Sequence, residues 1–355
     1  MTHEDLRAAV AAGILDEVQA SRFKALVEER AGQRAAMPQE DEPFVFFRGF
    51  SEIFISIGLI ILLSGVALML SWFGAGGWWT AVPLVCAGVA WWWAGYFTLK
   101  RRMTLPSMVL ATAYGIGVAL FVFMMMTTAD LAERVIAVGS FLLPAAAMVL
   151  WYQRFRLPFA AFLTGLFGLG AIYAFTASTV DLTGLAMGDG FDRLFNLRES
   201  PAFATATLVF GAGMFIAGMW FDTRDPHRLG RHAATAFWCH LLAAPALVNT
   251  VAITLLNSKS GSMGLLFAAL LVITVLALVI DRRSFLTAAI VYIAVVIAWF
   301  SGDNGDAGSW IFTLLTLGAV ITAIGTWWVQ LRAVVMGALP DFPGKGRLPP
   351  YGSTE

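Results

Sequence analysis

Residues 51–73 read SEIFISIGLIILLSGVALMLSWF, and after Glu52 the stretch contains no charged side chain. A helix needs about 20 mostly apolar residues to cross the hydrocarbon core of a bilayer, so this segment predicts a transmembrane span. Nine further stretches read the same way: 78–99, 107–127, 135–153, 157–179, 201–221, 233–256, 263–280, 285–300 and 310–331. The ninth is the shortest and can extend to Arg283 by snorkelling of the arginine; eight spans is the alternative count. Apolar residues make up 59% of the chain and charged residues 13%, against about 45–50% and 25% in soluble domains. The expected fold class is therefore all-α, a polytopic transmembrane helical bundle of about ten spans.

Outward from the first span, the N-terminal side is polar. Leu6 and Val10, then Val18, Phe23, Leu26 and Val27, recur at near-helical spacing among charged residues, with Gly13 between the two sets. Asp16 followed three residues later by Gln19 has capping-box spacing, so residues 1–33 predict a short soluble helical hairpin. Pro38 and the acidic run Glu40, Asp41, Glu42 mark residues 34–50 as a linker, ending in an interfacial segment rich in phenylalanine. The bundle then occupies 51–331 and a cytoplasmic tail 332–355. Met1, Thr2, His3, Glu4 and Asp5 supply no basic region ahead of an apolar run, so no cleaved signal peptide is expected.

Charge placement predicts orientation, because Lys and Arg are retained on the cytoplasmic side. With ten spans, nineteen of the 23 basic residues fall on one side, and only Arg134, Arg193, Arg198 and Lys259 on the other. Both termini are thus expected in the cytoplasm of a bacterium, with the protein in its inner membrane. The longest outer loop, 180–200, has Phe191, Leu194, Phe195 and Leu197 among charged residues and predicts either a surface-lying amphipathic helix or a solvated loop. Trp72, Trp78, Trp79, Trp299 and Trp310 are expected at the outer interface, and Trp151, Trp220, Trp327 and Trp328 at the inner one. Trp91, Trp92 and Trp93 lie deeper, as belt or core residues. Glycines on the fifth span (Gly165, Gly168, Gly170) and the sixth (Gly211, Gly213) predict close helix approach.

The chemistry-bearing residues are few. No Asp, Glu, Lys or Arg lies near the middle of a span; Glu52, Asp222 and Asp281 stand only at span ends. This disfavours a proton or sodium antiporter driven by membrane-centred carboxylates. His240 is the one ionisable side chain well inside a span, and the same helix carries Pro245, which frees a carbonyl near Leu241, and Asn249. His240, Pro245 and Asn249 are therefore the candidate substrate-binding residues, against the alternative that His240 simply hydrogen-bonds a neighbouring helix. His227 and His232 lack further ligands at metal spacing, and Asp303 to Asp306 is an incomplete calcium loop, so no metal is expected. Cys86 and Cys239 are small core residues. No HExxH, GxSxG, P-loop or GxGxxG pattern is present, and no catalytic residue or cofactor is assigned. The even balance of 23 basic and 23 acidic residues gives no pointer to nucleic acid.

Ala12, Gly13, Ile14, Leu15, Asp16, Glu17, Val18, Gln19, Ala20 resembles the short AGLIS-x-EQA helical element of a bacterial family of uncharacterised multi-pass membrane proteins. The first span, through Ile57, Gly58, Leu59, Ser64, Gly65, Val66 and Trp72, is similar to that family as well; where the family has Asn-Trp after the span, this chain has Ser71, Trp72. The resemblance implies a multi-pass membrane protein and no particular activity. Two functions follow as expectations. One is binding or transport of a small solute or lipid within the bundle. The other is an accessory or assembly role, with the N-terminal hairpin docking a protein partner.

Overall fold

In a computed structural model the described residues are 9–15, 19, 49–73, 78–177, 194–224, 231–256, 263–300, 307–341, 343, 345, 348 and 349. The chain divides into two compact units, Met1–Glu42 and Pro43–Glu355. In the first, a helix ends at Ala11. Gly13 has φ +70° and donates to Val10 O, while Ile14 N donates to Ala9 O. These two bonds form a Schellman cap, which needs the left-handed conformation that glycine adopts without a Cβ penalty. Gly13 thus terminates a helix as its position predicts. The second half of the expected hairpin lies outside the described residues, Gln19 apart.

The second unit is entirely helical among its described residues. Its helices are α1 (Phe50–Phe73), α2 (Val82–Ala94), α3 (Thr104–Thr128), α4 (Glu133–Phe155), α5 (Phe159–Thr176) and α6 (Pro201–Asp222). They continue with α7 (Arg231–Leu256), α8 (Met263–Ile280), α9 (Ser284–Phe300), α10 (Ala307–Thr326) and α11 (Trp328–Ala338). A 3₁₀ turn, Trp78–Ala81, leads into α2, and a π-helix, Gly95–Lys100, continues it. Among the described residues eight helices, α1 to α8 with α2 counted through its extensions, are long and apolar enough to cross a membrane; a ninth is added if α10 and α11 form one span.

Eight, or nine with the bent pair, falls short of the ten spans expected from sequence and includes the alternative count of eight. The ninth sequence span is helical but only 17 residues long. The tenth is broken, since α10 and α11 meet at a 71° bend at Trp327. In α11, Trp328, Arg332 and Met336 recur every four residues and are buried, so one face of this short helix packs, in part on α8. The expected tail is partly docked too: Arg332 Nη2 donates to Pro349 O at 2.7 Å.

Short connections set the order of the bundle. Arg102, Asp130, Arg156 and Asp281, all just beyond helix ends, adopt φ near +50°. Such a left-handed residue ends a helix and lets its neighbour begin within a few residues. Contacts then tie the starts and ends of successive helices into two opposite ends. At one end, Glu52 Oε2 accepts from Thr104 N (3.2 Å) and Leu105 N (3.1 Å), and Tyr152 OH lies 3.3 Å from Thr235 Oγ1. This end carries Lys100, Arg101, Arg102, Arg154 and Arg156, and is called the basic end below. At the other, Arg134 Nη2 donates to Ala177 O at 2.9 Å. There, too, Thr207 Oγ1 bonds Leu194 O and Leu197 N donates to Thr254 Oγ1. Leu194 and Asn196 are buried, so residues 194–200 tuck between α5, α6 and α7.

Apolar packing follows two main clusters. One joins α1 to α5 around Leu59, Leu110, Met148, Trp151 and Phe155; the other joins α7, α8, α9 and α11 around Val248, Leu266, Phe285 and Trp328. Trp151 is therefore core rather than interfacial, packed against Trp91, Tyr114 and Phe155. Trp328 is core as well, whereas Trp220 and Trp327 are exposed. Close approach is achieved at Gly165, where a Cβ would lie 2.5 Å from Leu242 Cδ1, but Gly168 and Gly213 face open space. The tightest backbone crossing is at Gly117 of α3, whose Cβ would meet Pro83 O at 2.7 Å.

Candidate functional site

Three elements converge beneath the basic end. Asp222 is the last residue of α6, His240 lies about two turns into α7, and Arg282 sits in the three-residue connection between α8 and α9. Gly218 of α6 makes the convergence sterically feasible, since a Cβ there would stand 2.7 Å from His240 Cε1. His240 Nε2 is 2.9 Å from Asp222 Oδ2. Arg282 grips the same carboxylate at both oxygens, Nε to Oδ2 at 3.2 Å and Nη2 to Oδ1, and Nη2 also donates to Ala233 O at 3.2 Å. All three side chains are buried, and Phe215 and Phe285 stand edge-on to the imidazole.

A bidentate guanidinium–carboxylate pair is directional and strong where water is excluded. Breaking such a pair on one side leaves an uncompensated charge at a cost of about 3–5 kcal/mol. Here the pair ties α6 to the α8–α9 connection, and His240 ties α7 to both.

A second buried carboxylate lies one residue before Arg282. Asp281 Oδ1 accepts from Trp328 Nε1 at 2.7 Å and lies 3.8 Å from Arg332 Nε, which donates to Leu278 O at 3.0 Å. Arg283 lies over the Trp328 ring at 5.5 Å. The sequence Asp281-Arg282-Arg283 thus sends one charge to α11, one to α6 and one over an indole.

The other residues read from sequence are distributed differently. Asn249 accepts a hydrogen bond from Tyr292 OH of α9 at 3.1 Å, while His240 is held by Asp222 of α6. Pro245 is half-buried between them, inside α7. The three share a helix and engage different neighbours. His232 stacks on Phe221; His227 and the Asp303 to Asp306 segment lie outside the described residues. No group of three or more His, Cys, Asp or Glu able to hold a metal occurs among the described residues.

A concave feature lies elsewhere at the basic end. A groove of about 740 Å³ is lined by Leu59 and Leu62 of α1, by Trp92 and Trp93 of α2, and by Tyr96, Phe97 and Leu99 of the π-helix. Lys100 and Arg154 stand at it as well. Its volume is within the roughly 300–1,000 Å³ usual for small-molecule sites. The π-helix helps to shape it: Arg101 N donates to Tyr96 O and Met103 N to Phe97 O, so each turn carries extra residues and the helix is wider than α. Such insertions are often found at functional sites. Trp92 and Leu62 are exposed, so the groove is open on that side.

No protein-family model, curated protein or solved structure matches this chain. The site therefore stands on its own residues. Sequence reading found His240 but not its partners, because Asp222 and Arg282 look like ordinary span-end charges. The available signal was their type: an acid closing one span and Asp-Arg-Arg closing another, on the same side of the membrane. The groove left a fainter signal, three consecutive tryptophans ahead of a basic triplet.

Proposed function

We propose that this chain is a bacterial inner-membrane protein that takes an amphipathic molecule, a lipid or lipid-like solute, from the bilayer into the groove at its basic end. The observation that carries this reading is the groove itself, whose lining combines apolar and aromatic side chains with two cationic ones, Lys100 and Arg154. Apolar walls pack against a hydrocarbon portion, and the charged side chains fix its orientation. The skewed distribution of basic residues supports placing this end, and both termini, in the cytoplasm with ten spans. The resemblance to uncharacterised multi-pass proteins of bacteria agrees with the location and adds no activity.

His240, Asn249 and Pro245 enter this proposal as the residues of α7 around which the second half of the bundle is organised. His240 has a role in holding α6, α7 and the α8–α9 connection together that is independent of any ligand. Mass spectrometry of the full-length protein purified in lipid nanodiscs tests the proposal. Reproducible enrichment of one amphiphile over the bulk lipid is expected, and a molecule pool identical to the bulk lipid would contradict it.

A second reading is favoured by the division of the chain at Glu42, which makes Met1–Glu42 a compact unit by itself. It is that this unit docks a cytoplasmic protein and the bundle serves as its anchor. In the same purification, a stoichiometric protein that disappears on deletion of residues 1–38 would support this reading over the first.

A further inference from the structure

We infer that the groove selects an anionic phospholipid, holding its phosphate between Lys100 and Arg154 with an acyl chain along Leu59, Leu62, Trp92 and Trp93. The inference rests on the proposed amphiphile-binding role and names its ligand class. Both basic side chains are exposed and line the groove. Neither has a carboxylate partner among the described residues, unlike Arg282 and Arg332. Lys100 ends the π-helix and Arg154 sits in the last turn of α4. The two cations thus come from different elements and line one groove only because the chain folds so.

The surroundings reinforce the sign. Arg101 donates from Nε to Tyr96 OH at 3.0 Å, and Tyr96 lines the groove, so a third positive charge is held beside it. Glu52, the acid at the start of α1, has Oε2 committed to Thr104 N and Leu105 N. An ammonium and a guanidinium next to an apolar trough match a phosphate next to a hydrocarbon chain. A zwitterionic headgroup brings a choline or ethanolamine cation into the same place. Each basic residue near an anionic lipid surface favours it by roughly fivefold, so two predict a preference on the order of twentyfold, weakened as salt screens the charges.

The test is native mass spectrometry of the delipidated full-length protein titrated with dioleoyl phosphatidylglycerol, dioleoyl phosphatidylcholine or inorganic phosphate. The wild type is expected to retain phosphatidylglycerol at least tenfold more tightly than phosphatidylcholine. Lys100→Gln with Arg154→Gln is expected to bring the two lipids within about twofold while still retaining both, which also shows the variant to be folded. Equal retention of the two lipids by the wild type would overturn the inference and leave the amphiphile reading standing. Retention of neither would remove both. Displacement of phosphatidylglycerol by millimolar inorganic phosphate would overturn it in favour of a free-phosphate site.

Discussion

Asp222 and Arg282, sixty residues apart in the chain, meet in a two-point contact, with Arg282 Nε 3.2 Å from Asp222 Oδ2 and Nη2 on Oδ1. The pair joins the end of α6 to the connection between α8 and α9. Both side chains are almost fully buried. In that setting a charge left without its partner is far more costly than the pair is beneficial.

Asp222→Asn is therefore expected to lower stability by about 3–5 kcal/mol, read as a large fall in melting temperature in detergent. Replacing both residues by apolar ones of similar size is expected to cost less than the sum of the two single changes. A double-mutant cycle that came out additive would show that the two side chains do not interact.

His240 and Gly218 form the second contact of this cluster. Gly218→Ala puts a methyl group 2.7 Å from His240 Cε1, and overpacking of this kind costs about 1–3 kcal/mol. Because α7 must move away, His240→Ala is expected to recover part of the loss. If Gly218→Ala melts at the wild-type temperature, α6 and α7 do not approach as described.

Glu52 predicts a milder effect. Its carboxylate takes two of the orphan N–H groups at the start of α3 and places negative charge at a helix N-terminus. Glu52→Ala is expected to cost about 1–2 kcal/mol, with faster amide exchange confined to the first turn of α3. Uniform exchange changes throughout the bundle would contradict a local capping role.

Topology separates an odd span count from an even one. With Cys86 and Cys239 changed to Ala, a cysteine at Glu199 is expected to react with an impermeant maleimide in intact cells, and one at Gln153 only after permeabilisation. A reporter fused after Glu355 is expected to read as cytoplasmic if α9 and α10 both cross. A periplasmic reading would leave an odd number of spans, with one of those helices not crossing.

The positions of the helices were legible because an apolar run of span length has few alternatives in a chain this poor in charge. Met263–Ile280 is the same in sequence and structure, and the bounds of α6 and α1 differ by a single residue. The break at Trp327 was not legible: it has no proline, and Gly325 lies in a region that reads as continuous helix. The bend places Trp328 and Arg332 on Asp281, a relationship between residues some 47 positions apart. Asp222, Asp281 and Arg282 were read as terminal charges because hydropathy counts a charge by depth. Whether a neighbouring helix covers it depends on tertiary packing. His240 was noticeable as a polar residue in an apolar run, yet only the fold supplies its partner. The pairing of Asn249 with Tyr292 was hidden for the same reason.

Photolabelling from an acyl chain reports whether the groove is occupied. Full-length protein in vesicles carrying a trace of phospholipid with a diazirine on its acyl chain is irradiated, digested and mapped. Labelling is predicted to concentrate on residues 59–100 and to fall several-fold in Leu62→Trp, whose added bulk fills the trough from its exposed side. Labelling spread evenly over the outward faces of α1 to α8, and unchanged by Leu62→Trp, would show that no acyl chain occupies the groove.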